Sequence, residues 1–140
     1  MAVVTQMLEF NTQGYTDAVD ITDLVAEAIH LSGLRSGIVT LFCPGSTGGL
    51  TTIEYERGAI ADLQQVLDEI APVDRRYFHH LRWNDDNGSA HVRSALVGPS
   101  LTVPFVDHRL MLGNWQQIVF LDFDTAPRER KLVAQILGEA

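Results

Sequence analysis

The sequence predicts an α+β fold, a mostly antiparallel β-sheet packed with two amphipathic helices plus one short helix. Helical apolar stripes occur twice, through Leu24, Val25, Ala28 and Ile29 and through Ile60, Leu63, Leu67 and Ile70. Apolar, β-branched runs recur at 36–43, 100–106 and 116–124, the composition of strands. The closing strands follow one another through short turns with no helix between them, which argues for antiparallel pairing rather than βαβ crossovers. At 140 residues the chain is one domain, 1–140, large enough to bury a core without disulfides or structural zinc.

In order, Val3 to Phe10 alternates as a strand, and Asn11 to Gly14 supplies turn residues. A helix opens at Asp20-Ile21-Thr22-Asp23, with Asp20 or Thr22 as N-cap, and closes at Gly33, where a left-handed cap is expected. Ser36 to Cys43 is a central buried strand. Pro44-Gly45-Ser46-Thr47-Gly48-Gly49 breaks it, and a strand resumes from Leu50 to Glu56. So many glycines between two strands imply a tight connection or a close approach to the backbone. Gly58 to Ala71 is the second amphipathic helix, stopped by Pro72. Ser89 to Leu96 forms about two turns of helix with Ser89 as N-cap. Ser100 to Val106, Leu110 to Leu112, Gln116 to Asp124 and Arg130 to Gly138 complete the sheet, joined by turns at 107–109 and 125–128.

Composition narrows the function. A net charge of -8 with no basic run excludes a nucleic-acid surface. Of the ten basic residues nine are arginines, which suit a single phosphate or carboxylate better than lysine does. Cys43 is the only cysteine, so no internal disulfide forms, and a reducing, cytoplasmic location is the expectation. The start MAVVTQMLEF carries neither a basic region nor a long apolar run, so no signal peptide and no membrane span are expected.

The candidate chemistry is concentrated in Tyr77 to Ser100. Three of the five histidines, His79, His80 and His91, fall there among Trp83, Asp85, Asp86 and Asn87. From Arg75 to Ser89 neither strand nor helix spacing of apolar residues is visible. Two imidazoles with a nearby carboxylate suit a divalent metal such as zinc, magnesium or manganese, with His79 and His91 as ligands. The same residues suit proton transfer, His79 and His91 with Glu54 and Asp86 as the catalytic set, or simply the capping of polar turns. The Pro44–Gly49 loop has the N–H groups and the Ser46 and Thr47 hydroxyls to cradle an anion, but not the lysine or following helix of a nucleotide P-loop. Glu54 and Glu56 share a strand face beside it, as edge charges or as groups reaching the site. Cys43, ending an apolar strand, reads as a small buried hydrophobe. Trp115 and Gln116 begin a buried strand, where Gln116 braces a loop or faces a ligand.

Taken together, CPGSTGGLTTIEYE, Tyr77-x-His79, WNDDNGSAHVRSALVGPSLTVP, LMLGNWQQIVFLDFD, the closing RxR and QILGE resemble the YjbQ-like family, often labelled secondary thiamine-phosphate synthase. The resemblance runs from about the first strand to the last residues. It implies a homotrimer with polar pockets at or near the subunit boundaries. It also implies weak thiamine-phosphate synthase activity on small phosphorylated substrates, with His79, Asn87, His91, Glu54, Ser100, Trp115 and Gln116 in the pocket. On that reading Ser46 and Thr47 hold phosphate, with Arg93 or Arg128 supplying charge. Many members have a histidine followed by Thr-Ser where this chain has Gly45-Ser46-Thr47. Either His80 or Glu54 stands in for that histidine, or the site is a metal-free anion pocket. The alternative function is a non-catalytic trimeric module that binds a metal or an anion.

Overall fold

Every strand pairing in the computed structural model, which describes residues 1–140, is antiparallel. The elements are β1 (Ala2–Thr12), β2 (Asp17–Asp20), α1 (Thr22–Ser32), β3 (Ser36–Phe42), β4 (Gly48–Ile53), α2 (Arg57–Ile70), α3 (Phe78–Trp83), α4 (Gly88–Val97), β5 (Ser100–Val106), β6 (Arg109–Leu110), β7 (Gln117–Asp122) and β8 (Arg128–Glu139). They form two sheets rather than one. The larger has the order β1-β8-β3-β5-β6 and the smaller β2-β7-β4. The first and last strands pair along their whole length, from Ala2 opposite Gly138 to Thr12 opposite Arg128.

The pairing follows from which faces are apolar. Leu8, Val39, Leu41, Val103, Phe105, Leu132, Ala134 and Ile136 occupy the inner face of the larger sheet. They pack with Val25, Ala28 and Ile29 of α1 and with Ile118 and Phe120 of β7. Residues of β7 on its other face, Val119 and Leu121, join Phe123, Leu67 of α2 and Ala90 of α4 in a second core. Strand β7 is therefore covered on both sides, and its nearly unbroken apolar run reflects that. Full burial of each such large side chain contributes about 1.5–3 kcal/mol. The outer face of the larger sheet is covered by neither helix nor strand: Val3, Met7, Ile38, Phe42 and Val106 are all exposed there.

Several elements differ from expectation. The short strand β2 escaped notice because four residues carry too little periodicity. Strand β4 ends at Ile53, so Glu54 and Glu56 do not share a strand face. Instead the Glu56 carboxylate accepts the N–H groups of Gly58 and Ala59 and caps α2. Of the α2 stripe only Leu67 is buried, and Ile70 is exposed. In α1, Asp20 accepts both the N–H and the hydroxyl of Thr22, and Gly33 closes the helix at φ 73. The glycines after the first loop are sites of close approach by the protein itself. A Cβ on Gly48 would run into the Phe120 ring, and one on Gly49 would lie 2.8 Å from Val97.

The stretch Arg75 to Ser89 contains a helix, α3, that spacing alone does not reveal. It buries no residue, and Phe78, Leu81 and Trp83 are exposed, so no apolar stripe marks it. Asn84 ends it in the left-handed conformation at φ 52, a geometry asparagine tolerates.

Candidate functional site

The turn at Asn84–Asn87 folds α4 back beside α3 and brings the histidines together. The His79 and His91 rings lie 4.3 Å apart between centroids, inclined by 60°. Asp85 sits in the turn with Oδ2 3.0 Å from Nε2 of His79. A carboxylate on one nitrogen orients the imidazole and leaves the other nitrogen for a ligand. His80 is committed elsewhere, since its Nε2 accepts the Gly88 N–H at 2.9 Å and Tyr77 packs edge-on against it at 5.4 Å. Tyr77 is itself anchored by donating to the Pro72 carbonyl at 2.7 Å.

At the start of α4, Asn87 holds the N-cap position, so Ser89 is not the cap. Neither side chain closes the helix end: Asn87 Oδ1 and Ser89 Oγ are both buried without a hydrogen-bond partner. Buried polar atoms are nearly always partnered, so these two oxygens, two and four residues before His91, stand out from the rest of the chain.

A second polar group lies next to the first. Asp122, with no solvent exposure, accepts from Nε and Nη2 of Arg130 at 2.8 and 2.9 Å, from the Thr12 hydroxyl and from the Asp124 N–H. Arg130 lies 5.4 Å from the Phe120 ring centroid and donates to Thr47 Oγ1 at 2.9 Å. Thr47 passes the chain on to Asp124, which also holds Arg128 at 2.7 Å. The Thr125 hydroxyl then donates to Asp86 at 3.0 Å, tying the histidine turn to the end of β7. Burial works against the charge on Asp122, but the donors from Arg130, Thr12 and Asp124 outweigh it, and its pKa lies below the ordinary carboxylate value. Asp124 behaves alike, burial being outweighed by the Thr125 N–H, Arg128 and Thr47. Burial pushes the Cys43 thiol up, in keeping with a small buried hydrophobe.

The residues singled out from sequence separate into two places. Thr47, Asp86, Asn87, His79 and His91 gather at one end of the smaller sheet, through Thr125 and Asp124. Ser46 is exposed on the adjoining loop, and Ser100 is exposed opposite Phe42 at the start of β5. Glu54, Trp115 and Gln116 lie at the other end. The β4–β7 register runs from Gly48 opposite Asp122 to Ile53 opposite Gln117, five residues or about 17 Å of strand. Trp115 and Gln116 precede β7 and are exposed, so they do not begin a buried strand. Gln116 braces a loop, accepting from Gly113 and donating to Thr52. Arg93 is not a free charge, because Ala71, Thr16 and Asp68 take its N–H groups.

Sequence reasoning gave no role to Asp85, Asp122, Asp124 or Arg130, although all four fall in stretches it singled out. The signal for the last three was present: two carboxylates two residues apart close an apolar run, and two arginines two residues apart open the next strand. Buried charges of opposite sign at matching strand spacing imply pairing. As for a metal, no three His, Cys, Asp or Glu side chains converge on one point. His79 and His91 thus offer two imidazoles without a third ligand from this chain, which does not complete a metal set.

Comparison with known proteins agrees with this architecture. The family model described as UPF0047 protein YjbQ-like matches residues 6–139. A UPF0047 protein of Methanothermobacter thermautotrophicus is 34% identical over 139 residues, covering 99% of this chain and 95% of the relative. YugU of Bacillus subtilis, another UPF0047 protein, is 32% identical over 132 residues, covering 94% and 97%. The crystal structure of a YbjQ-like protein of unknown function from Sulfolobus solfataricus superposes with a TM-score of 0.88 at 29% identity, covering 99% of this chain and 100% of that one. One from Clostridium acetobutylicum superposes with a TM-score of 0.85 at 31% identity, covering 94% and 99%. The chain belongs to the YjbQ-like, UPF0047 family. No helix is long and apolar enough to cross a membrane.

Proposed function

We propose that the chain is an enzyme of small phosphorylated substrates and that the His79–His91 pair handles the proton of the phosphate that leaves. The observation that carries this reading is the pair itself: His79 is oriented by Asp85, and the His91 ring lies against it. An imidazolium donates its proton to a departing oxygen, and a neighbouring imidazole with its carboxylate shares the charge. In the thiamine-phosphate synthase type of transfer, the thiazole nitrogen lone pair forms a C–N bond to the pyrimidine methylene as the C–O bond to diphosphate breaks. The diphosphate leaves with the bonding electrons and takes the imidazolium proton. Asp86 holds the turn in place through Thr125.

Homotrimer formation belongs to the same reading. What supports it is the uncovered outer face of the larger sheet, where Val3, Leu137 and Ile38 align across strands, as do Met7, Val133 and Phe42. No charged side chain stands in either row, and such a face is suited to a second copy of the chain. Assembly is also the route by which Glu54, Trp115 and Gln116 of one copy reach the histidines of another.

The test is thiamine phosphate formation by purified protein and by His79→Ala and His91→Ala, with mass in solution and metal content measured on the same samples. The expected result is three copies per particle and a loss of about a hundredfold or more in turnover for each variant. Unchanged turnover in both variants removes the pair from the mechanism. Binding of phosphorylated ligands without turnover favours the non-catalytic module. A zinc, magnesium or manganese ion that copurifies and disappears in His91→Ala replaces proton transfer with a metal centre.

A further inference from the structure

The loop Pro44–Gly49 has donors that the fold leaves unused. The main-chain N–H groups of Gly45, Ser46 and Thr47 donate to no acceptor in the chain, while the Thr47 carbonyl is taken by the Phe123 N–H. Arg130 shows the same imbalance within one guanidinium. Its Nε and Nη2 are committed to Asp122 and Thr47, and its Nη1 has no acceptor. That nitrogen is also the nearest atom to the place where a side chain at residue 45 would begin, at 3.9 Å, with nothing else within 4 Å. Glycine at this position therefore leaves an opening with a guanidinium nitrogen on one side and free amides in the adjoining loop.

We propose that this opening is an oxyanion subsite, in which Arg130 Nη1 and the N–H groups of Gly45, Ser46 and Thr47 hold a phosphate or diphosphate oxygen. The guanidinium is held in place beforehand: Asp122 takes two of its nitrogens and Phe120 lies against its plane. An anion binding Nη1 thus makes a charge-assisted hydrogen bond with little loss of side-chain freedom. Successive free amides add further partial positive charge. Asp122 and Asp124 are each paired with an arginine, Arg130 and Arg128, so the surroundings are near neutral and an anion is held by directed N–H donors. Burial pushes the Cys43 thiol up, so it adds no negative charge there. Arg130, rather than Arg93 or Arg128, then supplies the guanidinium donor for phosphate. This assignment rests on the enzyme reading for the nature of the substrate, but the subsite itself stands on Gly45 and Arg130.

The experiment is a titration of isotope-labelled protein with inorganic phosphate, diphosphate and acetate, followed by amide resonances. Saturable shifts at Gly45, Ser46 and Thr47 with phosphate or diphosphate are expected, and shifts confined to other residues, or none, overturn the proposal. Saturable acetate binding there at the same affinity as phosphate would restrict the subsite to generic carboxylates and overturn its assignment to phosphate. Gly45→Ala and Gly45→Asp share the cost of a side chain at φ +159, but only aspartate places a carboxylate beside Nη1. Gly45→Asp should bind phosphate about tenfold more weakly than Gly45→Ala, one charge-assisted hydrogen bond in size. Equal binding by the two overturns the proposal, and if either fails to fold the amide map of the unmodified protein decides. Failure of the enzyme reading gives a different result. Shifts at Gly45–Thr47 without turnover leave the subsite standing and remove the enzyme, while turnover without those shifts does the reverse.

Discussion

Asp122 and His91 belong to neighbouring polar groups at one end of the smaller sheet, and they use their hydrogen-bonding capacity in opposite ways. Asp122 is fully enclosed and accepts from Arg130, Thr12 and the Asp124 amide. His91 touches the edge of His79 and is tied to nothing, and the two orphaned oxygens of the molecule, on Asn87 and Ser89, lie within four residues of it. The first group joins β1, β7, β8 and the loop at 44–49 and holds the fold together. The second is set on two short helices, and the His91 ring makes no hydrogen bond within the chain. The difference separates charges that are structural from groups that are available to a ligand. Arg130 stands at the boundary, with one side of its guanidinium on Asp122 and Nη1 free.

That contrast breaks most sharply at Arg130. Arg130→Met should cost about 3–5 kcal/mol in urea unfolding, because it leaves the enclosed Asp122 carboxylate without its counter-charge. A cost under about 1 kcal/mol would mean that the pair is not structural. Acid sharpens the same point. The folded-state pKa values of Asp122 and Asp124 are depressed from 3.8, so their stabilisation is fully present above that value. It is lost as pH falls below 3.8 and through the folded-state values, because the unfolded chain takes up protons first. Stability measured from pH 6 downward should therefore hold until the ordinary carboxylate range and then drop, and the drop should shrink in Arg130→Met. A smaller effect, about 0.5–1.5 kcal/mol, is expected for Asp86→Ala, which removes the Thr125 hydrogen bond. Faster amide exchange at 84–88 would accompany it, and unchanged exchange would show that the turn is held by other contacts. His91→Ala is expected to change stability least, within about 0.5 kcal/mol, as its side chain makes no hydrogen bond and packs only on the His79 ring.

Much of the fold was legible because it rests on short-range rules. The α1 stripe, the left-handed Gly33, the stop at Pro72 and the β-branched runs of β3, β5 and β7 each follow from the sterics and burial of neighbouring residues. The histidine stretch was legible as a candidate site by its composition. Helix α3 was not, because a helix that buries nothing leaves no periodic trace. Nor were the positions of Glu54, Trp115 and Gln116, which sequence order sets among the site residues and strand register places about 17 Å away.

By itself, then, the sequence determined the α+β class, the antiparallel strands and the concentration of imidazoles between Tyr77 and Ser100, all of them products of local pattern and residue chemistry. Only the tertiary structure decided that the strands divide into two sheets, that Arg130 rather than Arg93 lies under the glycine loop, and that Asp85 orients His79. Those outcomes depend on which strand pairs with which and in what register. A one-residue slip sends every side chain of a strand to the opposite face, and no local pattern specifies the partner across the 83 positions from Thr47 to Arg130 with the precision that a hydrogen bond requires.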